Sequence, residues 1–391
     1  MPRDAEVVVV GGGVAGCATA LGLARRGHAV ILLDRARFPR EKVCGEGLMP
    51  HGAEALGRLG VLDAVLATGP VPFEGIGYHV GDADAVGLFP GGRLGYGVRR
   101  SRIDLALQDA CRAAGVDVRD GVRVRGISGV GGDMTVDTEG GPVRCRAVVA
   151  ADGLHSPIRR QLGLSAGAGG RQRYGVRGHF RLTGPEPRVV DVYTADVGEF
   201  YVTPTGKGEV NVAILLEREA SRELRGDLAG GFREMCDGFP PIAALLVGSV
   251  PLTEPQLVGP LRQGAKMPVA DGVVLVGDAA SFIDGITGEG MSLGLLSAEI
   301  ATDVLSDGLW ANRLSASDLM PYARRTRRES RDVVLLTEII LWGIRHRRLA
   351  RRVVRNLGRH PELFGRVLAV NTGEAGLASL GLGGLVRLFA G

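Results

Sequence analysis

The stretch VVVVGGGVAGCATALGLARRGHAVILLD, residues 7–34, decides the fold of this chain. An apolar run, Val7–Val10, leads into a glycine-rich turn, and a helical run, Cys17–Arg26, follows it. A second apolar run, Ala29–Leu33, then ends at an acid, Asp34. This order predicts one strand–turn–helix–strand unit that holds a dinucleotide.

The glycines of the turn have separate predicted roles. Gly11 makes the tight turn, Gly13 lets the backbone approach a pyrophosphate, and Gly16 allows the helix to pack closely on the strand. The helix N-terminus offers free N–H groups and the positive end of its dipole to the phosphates. Asp34 is expected to bind the adenosine ribose hydroxyls.

Composition indicates a large globular protein. The 391 residues are 45% hydrophobic and 23% charged, enough for two or three folded units. A net charge of +4 does not favour a nucleic-acid partner. Only three of the 47 basic residues are lysines: Lys42, Lys207 and Lys266.

The cysteines and the apolar runs indicate in which cellular compartment the protein is expected. The five cysteines show no C-x-x-C pair and no metal-ligand spacing, so we expect free thiols, no metal site and a reducing cytoplasm. The N-terminus runs directly into a core strand, which argues against a signal peptide. The longest apolar stretch, Val333–Ile344, is short and contains Glu338, so no membrane span is expected.

Signals of a parallel sheet recur at residues 5–34, 146–153 and 272–278, while residues 173–215 alternate as in an antiparallel sheet. The predicted fold is α/β, a Rossmann-like domain with an inserted antiparallel β-sheet substrate domain and a helical C-terminal region. The predicted boundaries follow. The dinucleotide domain takes residues 1–70, 99–165 and 266–310, the sheet domain 71–98 and 166–265, and the helical region 311–391.

Individual helices are predicted from the spacing of their apolar residues and from the glycines and prolines that end them. They cover Ala53–Leu59, Arg99–Gly115 and Glu217–Cys236, and a further helix begins near Gly290. Residues 239–260 form a stretch rich in proline.

Three motifs in order resemble the flavoprotein monooxygenases and their relatives, such as p-hydroxybenzoate hydroxylase. They are GGGVAG (11–16), ADGLHS (151–156) and GDAASFIDGITGEG (277–290), and the resemblance extends to about residue 300. KVCGEG (42–47) and GITGEG (285–290) are similar to the geranylgeranyl reductase-like branch. The resemblance implies FAD as the cofactor.

The resemblance also implies roles for particular residues. Asp278 would accept hydrogen bonds from the ribityl hydroxyls, because a carboxylate can accept from two hydroxyls at once. Gly290 and Met291, at a helix start, would offer N–H groups to the flavin pyrimidine oxygen. The other implied cofactor contacts are Gly11, Gly13, Ala15, Gly16, Asp34, Cys44, Gly45, Arg100 and Val124. Arg99 and Arg102 are rivals of Arg100, and a solvated helix face is the alternative for each.

The chain departs from the branch at several places. Asp284-Gly285 stands where the branch prefers a proline, and Glu46 replaces a small residue. In EFYVTP (199–204), Tyr201 occupies a tryptophan position of the branch motif.

Cys44 and Glu46 are the candidate catalytic residues. Cys44 could donate a proton near the flavin ring or only pack there. Glu46 is either an acid or base in the cleft or a solvated loop charge. Tyr201 is the candidate substrate contact, with a sheet-core position as the alternative.

The resemblance predicts an FAD-dependent oxidoreductase on a hydrophobic substrate, acting by C=C reduction or by monooxygenation. A flavoprotein that uses FAD without net redox change, as in a cyclase or isomerase, is the alternative. A flavin-dependent halogenase is disfavoured because no lysine lies between Lys42 and Lys207, and the halogenase W-x-W-x-I-P reads here as E-F-Y-V-T-P. The sequence shows one dinucleotide fingerprint and no second one for NAD(P)H. The electrons are therefore expected from transient NAD(P)H binding, a separate reductase or a ferredoxin-like donor.

The last region is rich in arginine. One cluster lies at 324–331 and a second at 345–355, beside the apolar residues Leu341, Trp342, Ile344, Leu349, Val353 and Leu357. This pattern is typical of a solvated helix surface, or of a basic amphipathic surface for anionic lipid or a carrier-protein phosphopantetheine. The expected location is therefore cytoplasmic, with peripheral membrane contact as an open possibility.

Overall fold

The computed structural model describes residues 3–167 and 172–389. The strands up to residue 150 are β1 (Val7–Val10), β2 (Val30–Asp34), β3 (Gly47–Leu48), β4 (Val71–Phe73), β5 (Gly75–Val80), β6 (Ala83–Leu88), β7 (Gly95–Gly97), β8 (Asp117–Asp120), β9 (Val124–Val130), β10 (Asp133–Thr138), β11 (Gly141–Cys145) and β12 (Ala147–Ala150). The later strands are β13 (Arg173–Arg181), β14 (Val190–Thr194), β15 (Gly198–Gly206), β16 (Glu209–Glu217), β17 (Val250–Pro251), β18 (Gln256–Val258), β19 (Gln263–Gly264), β20 (Val269–Ala270), β21 (Val273–Leu275) and β22 (Ser281–Phe282).

The helices alternate with the strands in the first part of the chain and follow one another in the last. They are α1 (Val14–Arg25), α2 (Pro50–Arg58), α3 (Leu62–Leu66), α4 (Arg100–Ala113), α5 (Pro157–Gln161), α6 (Arg218–Glu223), α7 (Leu228–Asp237), α8 (Pro240–Leu245), α9 (Gly290–Ala311), α10 (Ala316–Gly343), α11 (Arg347–Arg359), α12 (Pro361–Asn371) and α13 (Gly381–Phe389).

The three predicted parallel strands meet in one sheet, in the order β20-β21-β12-β1-β2-β8. Strand β1 lies parallel to both β12 and β2. Val7 and Val9 pack with α1, α4 and α9, whereas Val8 and Val10 pack on the three-stranded sheet of β9, β10 and β11. Because both faces are covered, the strand is continuously apolar and does not alternate. The Rossmann-like part of the prediction is confirmed.

The inserted sheet runs β17-β13-β16-β15-β14-β5-β6, with β18 also on β13. Most of its pairs are antiparallel as predicted, but β14 pairs with β5 in parallel, Val192 opposite Tyr78. Among themselves, the strands within residues 173–215 all pair antiparallel, and the parallel partner, β5, comes from a distant segment of the chain. Strand β7 pairs with both β3 and β4 in a separate three-stranded sheet.

The predicted helix Glu217–Cys236 was also wrong, since it is broken into α6 and α7. Asp227 caps the second helix, its carboxylate accepting the N–H of Gly230 at 2.9 Å. A helix N-cap needs non-helical backbone, so the chain turns before Leu228. The proline-rich stretch 239–260 contains α8, which begins at Pro240, where a proline costs no hydrogen bond.

The C-terminal helices cover the Rossmann-like domain and the edge of the inserted sheet. Helix α10 starts with a capping box between Ser315 and Asp318. The Phe364 ring of α12 stacks on Tyr78 of β5, with ring centres 5.7 Å apart. Within the described ranges, no helix is both long enough and apolar enough to span a bilayer.

Candidate functional site

A cleft lies where the parallel strands end and one face of the inserted sheet begins. It contains about 1140 Å³ of space outside protein atoms, counted out to the solvent. The predicted site residues that line it are Gly13, Ala15, Gly16, Cys44, Gly45, Glu46, Arg100, Tyr201, Asp278, Gly290 and Met291. The fold therefore brings residues from five separate sequence segments to one place, as expected for the end of an α/β sheet.

The glycine turn has the geometry that the dinucleotide motif requires. Gly11 has φ +112°, and a Cβ there would lie 2.2 Å from the Ala151 carbonyl oxygen. A Cβ on Gly16 would lie 1.8 Å from the Gly11 oxygen. Gly13 precedes α1, and no side chain caps this helix start. Uncapped N–H groups at the cleft form a cradle that fits a pyrophosphate.

Asp34 lies at the end of β2, beside this turn. Its Oδ2 accepts the N–H of Gly12 at 2.7 Å, and its Oδ1 accepts the N–H of Ala36 at 2.8 Å. The carboxylate is therefore oriented before any ligand arrives. Asp34 and Gly11 adjoin the cleft without lining it.

Arg100 is the one of the three candidate arginines that lines the cleft. Its guanidinium bonds both oxygens of Asp104, at 2.8–3.0 Å, and Arg40 approaches Asp104 to 3.2 Å. Burial alone would lower the pKa of Arg100, but the Asp104 carboxylate raises it above its usual value. Two cations beside Gly13 suit an anionic ligand.

Arg99 and Arg102 have other partners. Arg99 pairs with Glu41 at 2.6 Å, and Arg102 pairs with Glu209 at 3.0 Å. Neither is the solvated helix charge considered above.

Val124 starts β9 and packs, partly buried, against the core between the parallel sheet and the three-stranded sheet, outside the lining of the cleft. The neighbouring Val122 donates its N–H to the Asp34 carbonyl at 2.8 Å. In this segment, the residue bonded to the Asp34 backbone is thus Val122, two residues before the predicted contact.

Asp278 follows β21 in a short 3₁₀ turn, Gly277–Ala279. Its carboxylate lies 3.1 Å from the ammonium of Lys42, and Arg159 donates to the carbonyls of Asp278 and Ala279. Gly290 and Met291 are the first residues of α9. The first N–H groups of a helix have no intrahelical acceptor, so they are available to a ligand.

Glu46 is fully buried, so the solvated-charge interpretation was wrong. One carboxylate oxygen accepts the N–H of Arg100 at 2.8 Å. The other lies 2.6 Å from His179 Nε2 and accepts from Asn211 at 3.2 Å. Its backbone has φ 62°, a left-handed conformation that side chains rarely adopt. These bonds show that the carboxylate holds the loop against the inserted sheet.

Cys44 is half-buried at the same turn of the loop. Its Sγ accepts the N–H of Glu46 at 3.3 Å, and its carbonyl accepts from Asn211 at 2.8 Å. Gly45 has free space on its Cβ side, since no other atom lies within 4 Å. The loop therefore presents a thiol and bare backbone to the cleft.

Strand β13 ties two loops of the cleft to the sheet. Arg177 pairs with Glu41 at 2.6 Å, while Arg173 pairs with Glu199 and lies 3.4 Å from Asp284. Burial raises the pKa of the Asp284 carboxyl, although Arg173 opposes this shift. Two of the departures from the branch pattern, Glu46 and Asp284, thus contact side chains of one strand.

The sequence did not single out Arg40, Arg173, Arg177, His179 or Asn211. The signal for the four strand residues is that charged or polar side chains occupy alternate positions of otherwise apolar strands, whereas Arg40 lies in a loop and has no such signal. In β13, residues 173, 177 and 179 share one face, and a period of two places them together.

The other half of the cleft is apolar. Tyr201 and Leu215 are 8% exposed and share this face of the sheet with Val190 and Ala213. The Tyr201 hydroxyl reaches the Ile286 carbonyl at 3.4 Å, and burial raises the pKa of this phenol well above its usual value. Tyr201 both lines the cleft and packs in the core.

A second chamber adjoins the cleft between the 277–290 segment and α10, and shares Asp278, Phe282 and Gly290 with it. Glu289, 2% exposed, lies in its wall. Asn371 donates to one oxygen at 2.8 Å, and His51 Nε2 lies 3.3 Å from the other. Burial raises the pKa of Glu289 well above its usual value and lowers that of His51 to about 4. Burial therefore disfavours the charged form of both side chains.

Comparison with known proteins places this geometry in a family. Residues 4–302 match the family model described as an FAD binding domain. A menaquinone reductase of Mycolicibacterium smegmatis is 28% identical, over 79% of this chain and 78% of its own length. A digeranylgeranylglycerophospholipid reductase of Methanothermobacter thermautotrophicus is 30% identical, over 83% of each.

Solved structures agree on the fold. A flavoprotein/dehydrogenase from Cytophaga hutchinsonii has a TM-score of 0.84 at 23% identity, covering 94% of this chain and 92% of its own. The myxobacterial chondrochloren halogenase has a TM-score of 0.79 at 23% identity, covering 95% and 91%. The chain belongs to the FAD binding domain family and is an FAD-dependent oxidoreductase of its geranylgeranyl reductase-like branch.

Proposed function

We propose that this oxidoreductase reduces a carbon–carbon double bond in a polyprenyl chain. The observation that carries the proposal is the divided cleft, with cofactor-binding positions on one side and an apolar wall on the other. The relatives named above are reductases, and both of the compounds in their names contain isoprenoid chains. A polyprenyl chain has no polar groups, so it suits a wall whose polar atoms already have partners.

The apolar wall of the cleft suits a long hydrocarbon chain better than the polar head of a substrate. Val190, Tyr201, Ala213 and Leu215 stand on three neighbouring strands and face Met49 across the cleft. Tyr201 is opposite Ala213 in the sheet, so a large and a small side chain alternate. An extended hydrocarbon can lie along such a groove and be held by burial alone.

The residues present fit FAD. The uncapped start of α1, with Arg100 and Arg40, would hold the pyrophosphate, and Asp34 would hold the adenosine ribose. Asp278, Gly290 and Met291 would hold the ribityl chain and the pyrimidine edge. When bound, FAD supplies the two electrons and one of the two hydrogens that the double bond gains.

The second hydrogen must come as a proton, and we assign it to the Cys44 thiol. Cys44 lies in the cleft wall on a loop held by Glu46, so its position is set by buried bonds. It is half-buried, which leaves access to water for reprotonation after each turnover. Glu46 acts through Cys44 as a positioning residue, because its own carboxylate is occupied by Arg100, His179 and Asn211.

Monooxygenation of a hydrophobic substrate is the second candidate, supported by the resemblance of the three cofactor motifs. FAD use without net redox change is a third. Halogenation is disfavoured because Lys42, the lysine of the cleft, is paired with Asp278. For the electron donor, we propose transient NAD(P)H binding, with a separate reductase or ferredoxin-like protein as the alternative.

Product analysis separates these functions. The FAD-loaded protein is supplied with NAD(P)H or dithionite and a polyprenyl substrate, with and without oxygen, and the product mass is measured. We expect a product with two additional hydrogens that forms without oxygen. A product with one additional oxygen atom, formed only in air, would establish monooxygenation. An isomer formed with a flavin analogue that cannot transfer hydride would establish the non-redox function.

Cys44 variants test the proton assignment in the same assay. Cys44→Ala is expected to lower kcat while FAD affinity stays unchanged, and Cys44→Ser is expected to retain more activity because a hydroxyl still carries a proton. Equal kcat for Cys44→Ala and the unmodified protein would contradict the assignment.

A further inference from the structure

The last helix presents an apolar face to solvent. Leu382, Leu385, Val386 and Phe389 of α13 are 84%, 42%, 61% and 41% exposed. Their spacing of three, four and seven residues places them on one side of the helix. The opposite side is buried, through Gly384 and Leu388. A surface helix normally turns such a row towards the core.

The end of α10 repeats the pattern. Leu335, Ile339 and Trp342 are 45%, 41% and 51% exposed and lie four and seven residues apart. The other side of the same segment is buried, through Leu336 and Leu341. Most of the apolar residues noted from sequence in this region pack inward, and Trp342 is the exposed one.

A row of arginines lies between the two apolar rows. Arg345, Arg348 and Arg352 are exposed, and within residues 3–167 and 172–389 no carboxylate lies within ion-pair distance of them. By contrast, Arg351 and Arg355 of the same helix pair with Asp82.

The rows adjoin one another. On α11, Arg348 lies one turn before Arg352, and Arg352 lies one turn before Asn356. Asn356 donates to the Leu388 carbonyl of α13 at 3.2 Å. On the other flank, the Trp342 ring lies 4.9 Å from His346, at the turn into α11. We call the three rows together the basic apolar face.

We propose that the basic apolar face docks the protein on an anionic lipid bilayer. Exposed aliphatic and aromatic side chains beside unpaired arginines match the boundary between acyl chains and anionic headgroups. An acidic protein partner would match the arginines, but it would leave unexplained the fully apolar row of α13.

The face also lies near the second chamber. Val334 and Thr337 of α10 line that chamber, and Leu335 is adjacent in sequence on the outer side. If the proposed function holds, a polyprenyl chain would leave the bilayer along this helix. The docking itself rests on the surface residues and does not depend on the reaction.

Vesicle sedimentation tests the docking with the FAD-loaded full chain. Vesicles of phosphatidylcholine mixed with phosphatidylglycerol are compared with phosphatidylcholine alone, at low and high salt. We expect binding to the anionic vesicles, weakened by salt. Replacing Arg345, Arg348 and Arg352 by Gln should weaken binding roughly 100-fold. Replacing Leu382, Val386 and Phe389 by Gln should weaken it about tenfold or more.

A matched control removes the same charge elsewhere, by replacing the exposed Arg125, Arg218 and Arg222 with Gln. This variant should bind as the unmodified protein does, and all variants should keep their unfolding temperature and FAD. Equal loss in the control would contradict the assignment of the face. The proposal would also be contradicted if the protein bound no anionic vesicles, or if it bound only an acidic carrier protein. A dimer of the unmodified protein that the apolar variant dissociates would contradict it as well. Sedimentation requires no turnover. Failure of the proposed reaction would therefore not affect the test of membrane docking.

Discussion

The Glu46 carboxylate lies 2.6 Å from His179 Nε2, and both side chains are fully buried. The contact joins the 42–47 loop to strand β13 across 133 residues of sequence. The same strand contacts Asp284 through Arg173. Two of the places where the chain departs from the branch pattern are thus linked through one strand, which contacts both loops of the cleft.

Breaking the Glu46–His179 contact should destabilise the protein. Glu46→Ala leaves His179, Asn211 and the Arg100 N–H without their buried acceptor, and we expect a loss of about 3 kcal/mol in the free energy of unfolding. Glu46→Gln retains an acceptor and should lose less. Urea unfolding measures both, with the exposed Glu219→Ala as the control. Equal stability of Glu46→Ala and Glu219→Ala would contradict the role assigned to Glu46.

Arg100 should govern FAD affinity. Arg100→Lys keeps the charge but loses the two-pronged bond to Asp104, so we expect FAD to bind about tenfold more weakly. Quenching of FAD fluorescence on titration with deflavinated protein measures this without turnover. Arg112→Lys, on the exposed side of the same helix, should change nothing. An unchanged FAD dissociation constant for Arg100→Lys would remove Arg100 from the site.

Gly45 tests whether the loop touches the cofactor. Its Cβ side is open, so Gly45→Ala should leave the unfolding temperature of the deflavinated protein unchanged. If Gly45 lies against FAD as predicted, the methyl group should weaken FAD binding roughly tenfold. Gly184, also open on its Cβ side, provides the control as Gly184→Ala. Normal FAD affinity in Gly45→Ala would show that the loop stands clear of the cofactor.

His51 should make stability depend on pH. Burial lowers its pKa from 6.5 to about 4, so the folded state resists a proton that the unfolded state accepts. The stabilisation is present above pH 6.5 and is lost as the pH falls towards 4, by up to about 3 kcal/mol. His51→Gln should flatten the unfolding free energy over this interval, whereas His346→Gln, at an exposed site, should not. Parallel pH curves for His51→Gln and the unmodified protein would exclude His51.

The sequence predicted the parts of the site that depend on local order. The turn around Gly11 and Gly16, the acid at Asp34 and the helix start at Gly290 each follow from neighbours in the chain. Their convergence on one cleft followed from the rule that parallel strands end at the same edge.

Contacts between distant segments could not be predicted in this way. From the sequence, Glu46 could also be interpreted as a solvated charge, because no residue near it in sequence indicates contacts with His179 or Asn211. The parallel pairing of β14 with β5 has the same cause. The break at Asp227 is local, since Gly226 and the capping aspartate lie within the predicted helix itself.

The central claim is tested most directly by reduced flavin itself. The FAD-loaded protein is reduced with dithionite under nitrogen and mixed with a polyprenyl substrate, and the return of oxidised-flavin absorbance is followed. We predict reoxidation at a rate that rises with substrate concentration and a product with two additional hydrogens. Flavin that stays reduced until oxygen is admitted would contradict the account.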